Sequence, residues 1–148
     1  MGDVYSLQGR HEKASAAFSE ALSLREAALS SNAADVVATR DLAILWIRAG
    51  KARANAHEQL AEIDAAYAKA ISLLSPLVEK ASADSRWRRD LAVAYAERGE
   101  ARRHAGEISN ARADMRVALD LITKLRTAAP DDVQLKEDEN WLREQLER

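Results

Sequence analysis

Apolar residues recur along most of this chain at spacings of three and four, the period of a helix with one buried face. After a turn read at Gly9-Arg10-His11-Glu12, the residues Ala14, Ala17, Phe18, Ala21, Leu22, Leu24 and Leu29 keep that spacing. Ser30-Ser31-Asn32 interrupts the stripe and supplies side chains able to cap the next helix. That helix carries Val36, Val37, Leu42, Leu45 and Trp46 and is expected to run to about Asn55. Another is predicted from near Glu58 through Leu60, Ile63, Tyr67, Ile71 and Leu74. Pro76 lies inside this stripe, with Leu77 and Val78 continuing it. Proline removes a backbone donor and crowds the preceding turn, so a kink or short break is expected there. Ser82-Ala83-Asp84-Ser85 marks the next boundary, followed by a helix with Trp87, Leu91, Val93, Ala94 and Tyr95 that ends before Gly106. Ile108, Ala111, Met115, Ala118, Leu119, Ile122 and Leu125 form the last long stripe. Pro130-Asp131-Asp132 ends it and gives an acidic N-cap to a final helix through Val133, Leu135, Trp141, Leu142 and Leu146.

A longer pattern lies above the local one. Arg40-Asp41-Leu42-Ala43 recurs 49 residues on as Arg89-Asp90-Leu91-Ala92, Gly50 recurs as Gly99, and Gly2 lies 48 residues before Gly50. Such a period marks stacked helical hairpins, none of which buries its apolar face alone. The expected organisation is a single domain of units at about 1–33, 34–83 and 84–130, closed by a capping helix at 131–148, with six or seven helices in all.

Composition agrees with this picture and narrows it. Much of the 47% apolar fraction is alanine, the best helix former, and two prolines and five glycines are all that interrupt the chain. An all-α fold follows. The net charge of −2, with both signs interspersed, gives no reason to invoke nucleic acid or an anionic membrane. No apolar run approaches the roughly 18 residues of a membrane span. The opening Met1-Gly2-Asp3-Val4-Tyr5 lacks the basic-then-apolar order of a secretory signal, so a cytoplasmic setting is expected. With no cysteine there is no disulfide, thiolate nucleophile or cysteine-based zinc site.

Within each unit the spacing resembles the tetratricopeptide repeat. In the first, Gly2, Tyr5, Gly9, Ala14, Phe18 and Ala21 follow its order of small residue, aromatic, turn glycine, alanine, aromatic and alanine. Gly99, Arg102, Gly106, Ala111, Met115 and Ala118 keep the spacing in the third, with Arg102 in place of the aromatic. The second keeps Gly50, has Arg53 for the aromatic and His57 for the turn glycine, and carries one extra residue before Ile63, Tyr67 and Ala70. Trp46 lies four residues before Gly50, where the family often has tryptophan, and Tyr95 lies four before Gly99 in the same relation. Small residues at Gly50 and Gly99 are expected to let two helix backbones approach, with Phe18, Tyr67 and Met115 filling the space beyond. The period exceeds the family's usual 34 residues, so the chain is similar to long-helix repeats of bacterial multidomain proteins.

The resemblance implies a right-handed hairpin solenoid whose first helices line a concave, peptide-binding groove. It carries Asp3 and Ser6, then Ile44, Ile47, Arg48, Lys51 and Asn55, then Glu97, Glu100, Arg103 and His104 into that groove. Arg48, Lys51 and Arg103 are the expected anchors for an acidic peptide. Ile47 and Lys51 stand at two places where the family's carboxylate clamp needs lysine or asparagine, so that clamp is not supported. The first unit starts halfway through its first helix. A fragment of a longer array, or a homodimer covering Tyr5, Phe18 and Leu22, is therefore expected.

Chemistry finds no foothold in the sequence. His11, His57 and His104 are the candidates for acid–base work near neutral pH, and they read as exposed turn residues without partners. His57-Glu58 lacks the second histidine of a metalloprotease helix, and the glycines are scattered singly rather than gathered in a phosphate loop. The arginines at 86, 88, 89, 98, 102 and 103 interleave with Asp84, Asp90, Glu97 and Glu100, which reads as pairing along helix faces. The expectation is a scaffold that binds a protein or peptide, without catalytic residues, metal or cofactor.

Overall fold

The computed structural model describes residues 1–30, 35–80 and 84–148. Among them the chain is all-α, with seven helices: α1 (Gly2–Leu7), α2 (His11–Ser30), α3 (Val36–Asn55), α4 (Leu60–Val78), α5 (Ser85–His104), α6 (Ile108–Ala128) and α7 (Val133–Glu147). Helices adjacent in sequence pack together as hairpins: α1 on α2, α2 on α3, α5 on α6 and α6 on α7. The chain divides into two compact units, Met1–Leu74 and Ser75–Arg148, the boundary falling inside α4.

The sequence period reappears in the positions of the helix ends. Extended residues Asp35, Asp84 and Asp132 open α3, α5 and α7, their carboxylates accepting from the N–H of Ala38, Arg86 and Leu135. Each aspartate satisfies a donor that the first turn of a helix cannot pair within itself. The cap of α3 is thus Asp35. The expected capping segment falls mostly on Ser31 and Asn32, which lie outside the described residues, as do Ser82 and Ala83.

The three hairpin turns have one geometry. Gln8, Ala56 and Ala105 close α1, α3 and α5 with φ, ψ of −85, 2, then −80, 1, then −82, 0 degrees. The residue after each has positive φ: Gly9 at 68°, His57 at 56° and Gly106 at 82°. Each then donates to a carbonyl three residues back, and the following residue to one five residues back. This pair of bonds is the Schellman arrangement, which uses up carbonyls left over at a helix end. His57 therefore keeps the turn of the glycine it replaces, and the extra residue of the second unit is absorbed between His57 and Leu60.

The side chains flanking these turns explain a second replacement. Arg10 stacks over the Tyr5 ring at 4.8 Å from its centroid. In the next turn Arg53 stands in the place of Tyr5, and its cation meets Glu58 at 3.8 Å. An arginine–aromatic contact has been exchanged for an ion pair at the same two positions.

Each unit has its own core. In the first, Ala14, Phe18, Leu22, Leu42, Ala49 and Ala52 are buried together, with Tyr5, Leu45 and Trp46 packed against them. In the second, α6 contributes Met115, Ala118, Ile122 and Leu125 between Ala92 of α5 and Leu135 and Leu142 of α7. The expected close approaches are present: a Cβ on Gly2 would meet the Phe18 ring, and one on Gly50 the Tyr67 ring, both at 2.8 Å. Gly99 faces Met115 more loosely, at 3.1 Å.

Four expectations need correction. Phe18 and Leu22 are buried, because α1 and α3 already pack on the face of α2 that carries them. Leu24, Val37 and Val133 are each more than two-thirds exposed, since a stripe drawn at three-and-four spacing is wider than the face the neighbouring helix covers. The turn at residues 9–12 is shorter than read, with α2 starting at His11. Of the kink or short break expected at Pro76, the break is absent: α4 continues to Val78. Proline there is in the last turn, where little helix remains to be interrupted.

Candidate functional site

In the second unit α5 and α7 both pack on α6, and the small side chains of Ala92 and Ala96 on α5 leave an open cleft between them. The cleft measures about 240 Å³ and has Ile122 of α6 in its lining. Val93 and Trp141 line its two sides and remain 39% and 38% exposed, although both are large apolar residues. Leu142, buried beside Trp141, ties the α7 wall to the core.

The mouth is charged. Arg89 donates from Nη2 to Asp138 Oδ2 at 2.9 Å, joining α5 to α7. Glu97 and Glu100 line the α5 side, and Glu100 accepts from Arg103 Nη2 at 2.6 Å. Three carboxylates and one guanidinium thus surround an apolar floor. Arg89 and Asp138 are 49 residues apart, the spacing at which Arg40-Asp41-Leu42-Ala43 recurs. That offset is the signal in the sequence that points to this pair.

Two ion clusters, each centred on a buried carboxylate, hold the helices that form the cleft. Asp114 of α6, 4% exposed, accepts from Arg98 through both carboxylate oxygens at 2.9 and 2.7 Å and from Arg102 at 3.0 Å. Arg102, which replaces the expected aromatic, thereby joins α5 to α6. On α7, buried Glu139 accepts from Arg143 at 2.6 Å and also from Arg126 of α6. The Arg143 hydrogen bond draws the Glu139 carboxyl below its ordinary pKa; burial opposes this, and Arg126 adds to the lowering.

The structure sorts the sequence-derived groove residues into three groups. Glu97 and Glu100 line the cleft, while Arg103 and His104 sit past its α5 end, Arg103 bonded to Glu100 and close to His104 Nε2 at 3.2 Å. In the first unit Arg48 pairs with Asp3 at 2.9 Å, both side chains more than half exposed. Two of the three expected acidic-peptide anchors, Arg48 and Arg103, are therefore already bonded to carboxylates of this chain. Lys51 and Asn55 are exposed, whereas Ile44 is half-buried and Ser6 likewise. Ile47 is buried and must be removed from the surface set, because its side of α3 faces the core.

Of the histidines, His57 and His104 are exposed as expected, but His11 is half-buried, with Nδ1 shielded from solvent. Among the described residues no three acidic or histidine side chains converge as a metal-binding group. No described helix is long and apolar enough to cross a membrane. Comparison with known protein families, with curated proteins and with solved structures finds no match to this chain.

Proposed function

We propose that this chain is a non-catalytic interaction module of tetratricopeptide type, and that the α5–α7 cleft receives a short segment of a partner protein. The observation that carries the reading is the pair Val93 and Trp141, large apolar side chains left part-exposed on opposite walls of one cleft. Aromatic anchors in pockets of this kind supply much of the binding energy of protein interfaces. The charge of the lining, Glu97, Glu100 and Asp138 against Arg89, selects a segment with an apolar side chain next to a lysine or arginine rather than an acidic peptide. The apolar group fills the floor over Ile122 and the cation meets the carboxylates of α5.

The test is selection of peptides from a random library on the whole chain, followed by titration against Trp141→Ala and Glu97→Gln variants. Basic–apolar peptides that lose roughly tenfold or more in affinity with Trp141→Ala support the reading. Acidic peptides, or peptides indifferent to Trp141, defeat it.

A second reading is self-association through α1, where Val4 and Leu7 are 50% and 89% exposed. Light scattering over a concentration series separates the two, since a monomer throughout removes the dimer.

A further inference from the structure

The α5–α7 cleft has a counterpart on the surface of the same chain. Leu24 of α2 is 69% exposed, a large apolar side chain that the fold leaves in water. Its neighbours one turn on, Ala27 and Ala28, are short and exposed, so Leu24 stands clear of the helix as a single apolar knob. Next to it Arg25 is exposed and makes no hydrogen bond or ion pair among the described residues. Among those residues one other exposed large apolar side chain adjoins a base, Val117 beside Arg116. Val117 is less exposed, at 40%, and has Asp120 one turn on, which the acidic mouth of the cleft repels.

Shape and charge both match the cleft. Ala92 and Ala96 leave room for a branched side chain over Ile122, between Val93 and Trp141. A knob flanked by alanines thus meets a hole walled by alanines, and two helix surfaces of that kind can close to packing distance. At the mouth Glu100 gives Oε1 to Arg103, and its second oxygen has no partner among the described residues. A guanidinium arriving beside the knob supplies one through a charge-assisted bond. We propose that the cleft of one copy receives Leu24 of a second copy, with Arg25 of that copy on Glu100. The proposal rests on the reading of the cleft as a receptor for an apolar residue next to a cation. It differs from association through α1, because cleft and knob are unlike surfaces and every copy carries both.

The experiment is sedimentation equilibrium over a concentration series of the whole chain, unaltered and as Leu24→Asp, Trp141→Ala and Val117→Ser. The unaltered chain is expected to associate, about tenfold or more weakly in Leu24→Asp and in Trp141→Ala, and unchanged in Val117→Ser. Mixed together, the Leu24 and Trp141 variants are expected to form a one-to-one pair, since the first keeps the cleft and the second keeps the knob. That pairing also shows that each variant is folded. Association that Leu24→Asp leaves unchanged, that Val117→Ser abolishes, or that the mixed variants fail to recover overturns the proposal. A monomer at every concentration that still binds basic–apolar peptides through Trp141 overturns the self-contact alone. A monomer that binds no such peptide removes the reading beneath it as well.

Discussion

Gly50 faces the ring of Tyr67 so closely that a Cβ on it would stand 2.8 Å from the ring Cζ. Tyr67 is 1% exposed and has nowhere to retreat. Gly50→Ala is therefore expected to destabilise the chain by about 1–3 kcal/mol through over-packing, despite alanine's better helix propensity. Gly99 faces the flexible end of Met115 at 3.1 Å and the Ala111 carbonyl oxygen at 3.2 Å, both farther than the Tyr67 ring from Gly50, so Gly99→Ala should cost less, while Gly99→Leu should again cost about 1–3 kcal/mol. Urea denaturation of the three variants checks the order. A Gly50→Ala chain as stable as the parent would contradict the packing described.

His57 holds a left-handed backbone that L-residues adopt at a cost. His57→Gly is expected to stabilise by about 1 kcal/mol, the cost of that conformation. Gly9→Ala and Gly106→Ala should lose a similar amount, although a Cβ at either would meet nothing within 4 Å. Thermal melting of the three variants tests the sign, which must be opposite for His57.

Asp114 and Asp3 both pair with arginine, but one is buried and the other is in water. Asp114→Ala takes a shared buried carboxylate from Arg98 and Arg102, whose side chains are 15% and 17% exposed, and should cost about 3–5 kcal/mol. Asp3→Ala breaks a pair exposed by 62% and 53% and should move stability by no more than about 0.5 kcal/mol. Similar losses for both would refute the burial assigned to Asp114.

The Glu139 carboxyl has a lowered pKa, so the unfolded chain binds its proton more readily than the folded one. The stability it adds is complete above the unfolded value of about 4.5 and is lost as pH falls through the lower folded value. The urea midpoint is thus expected to drop on acidification in that window. In Glu139→Gln the chain should be weaker at neutral pH and show a shallower acid limb. An unchanged acid limb would mean that other carboxylates set it.

These residues also show what the sequence could and could not reveal. The period, the glycine–large-residue pairs and the helix ends were legible because each depends on residue type at a fixed local spacing. Pairing of the arginines was expected along their own helix, with Asp84, Asp90, Glu97 and Glu100, and Arg86 with Asp84 and Arg103 with Glu100 do pair that way. Arg98 and Arg102 instead reach Asp114 on the next helix, and only the register between α5 and α6 decides that. Trp141 was legible as a member of an apolar stripe, but its place on the wall of a cleft depends on the small alanines opposite. Ile47 was misplaced because repeat spacing does not disclose which side of the helix is turned to the core.

The residue added between His57 and Leu60 leaves the geometry before it unchanged, since the second turn has the same dihedral angles and hydrogen bonds as the other two. Length in this chain is therefore elastic at the second turn, between Glu58 and Leu60, beyond the residue that completes its pair of hydrogen bonds. A grafted epitope or recognition loop placed there lengthens an exposed connection and leaves the helices on either side in register.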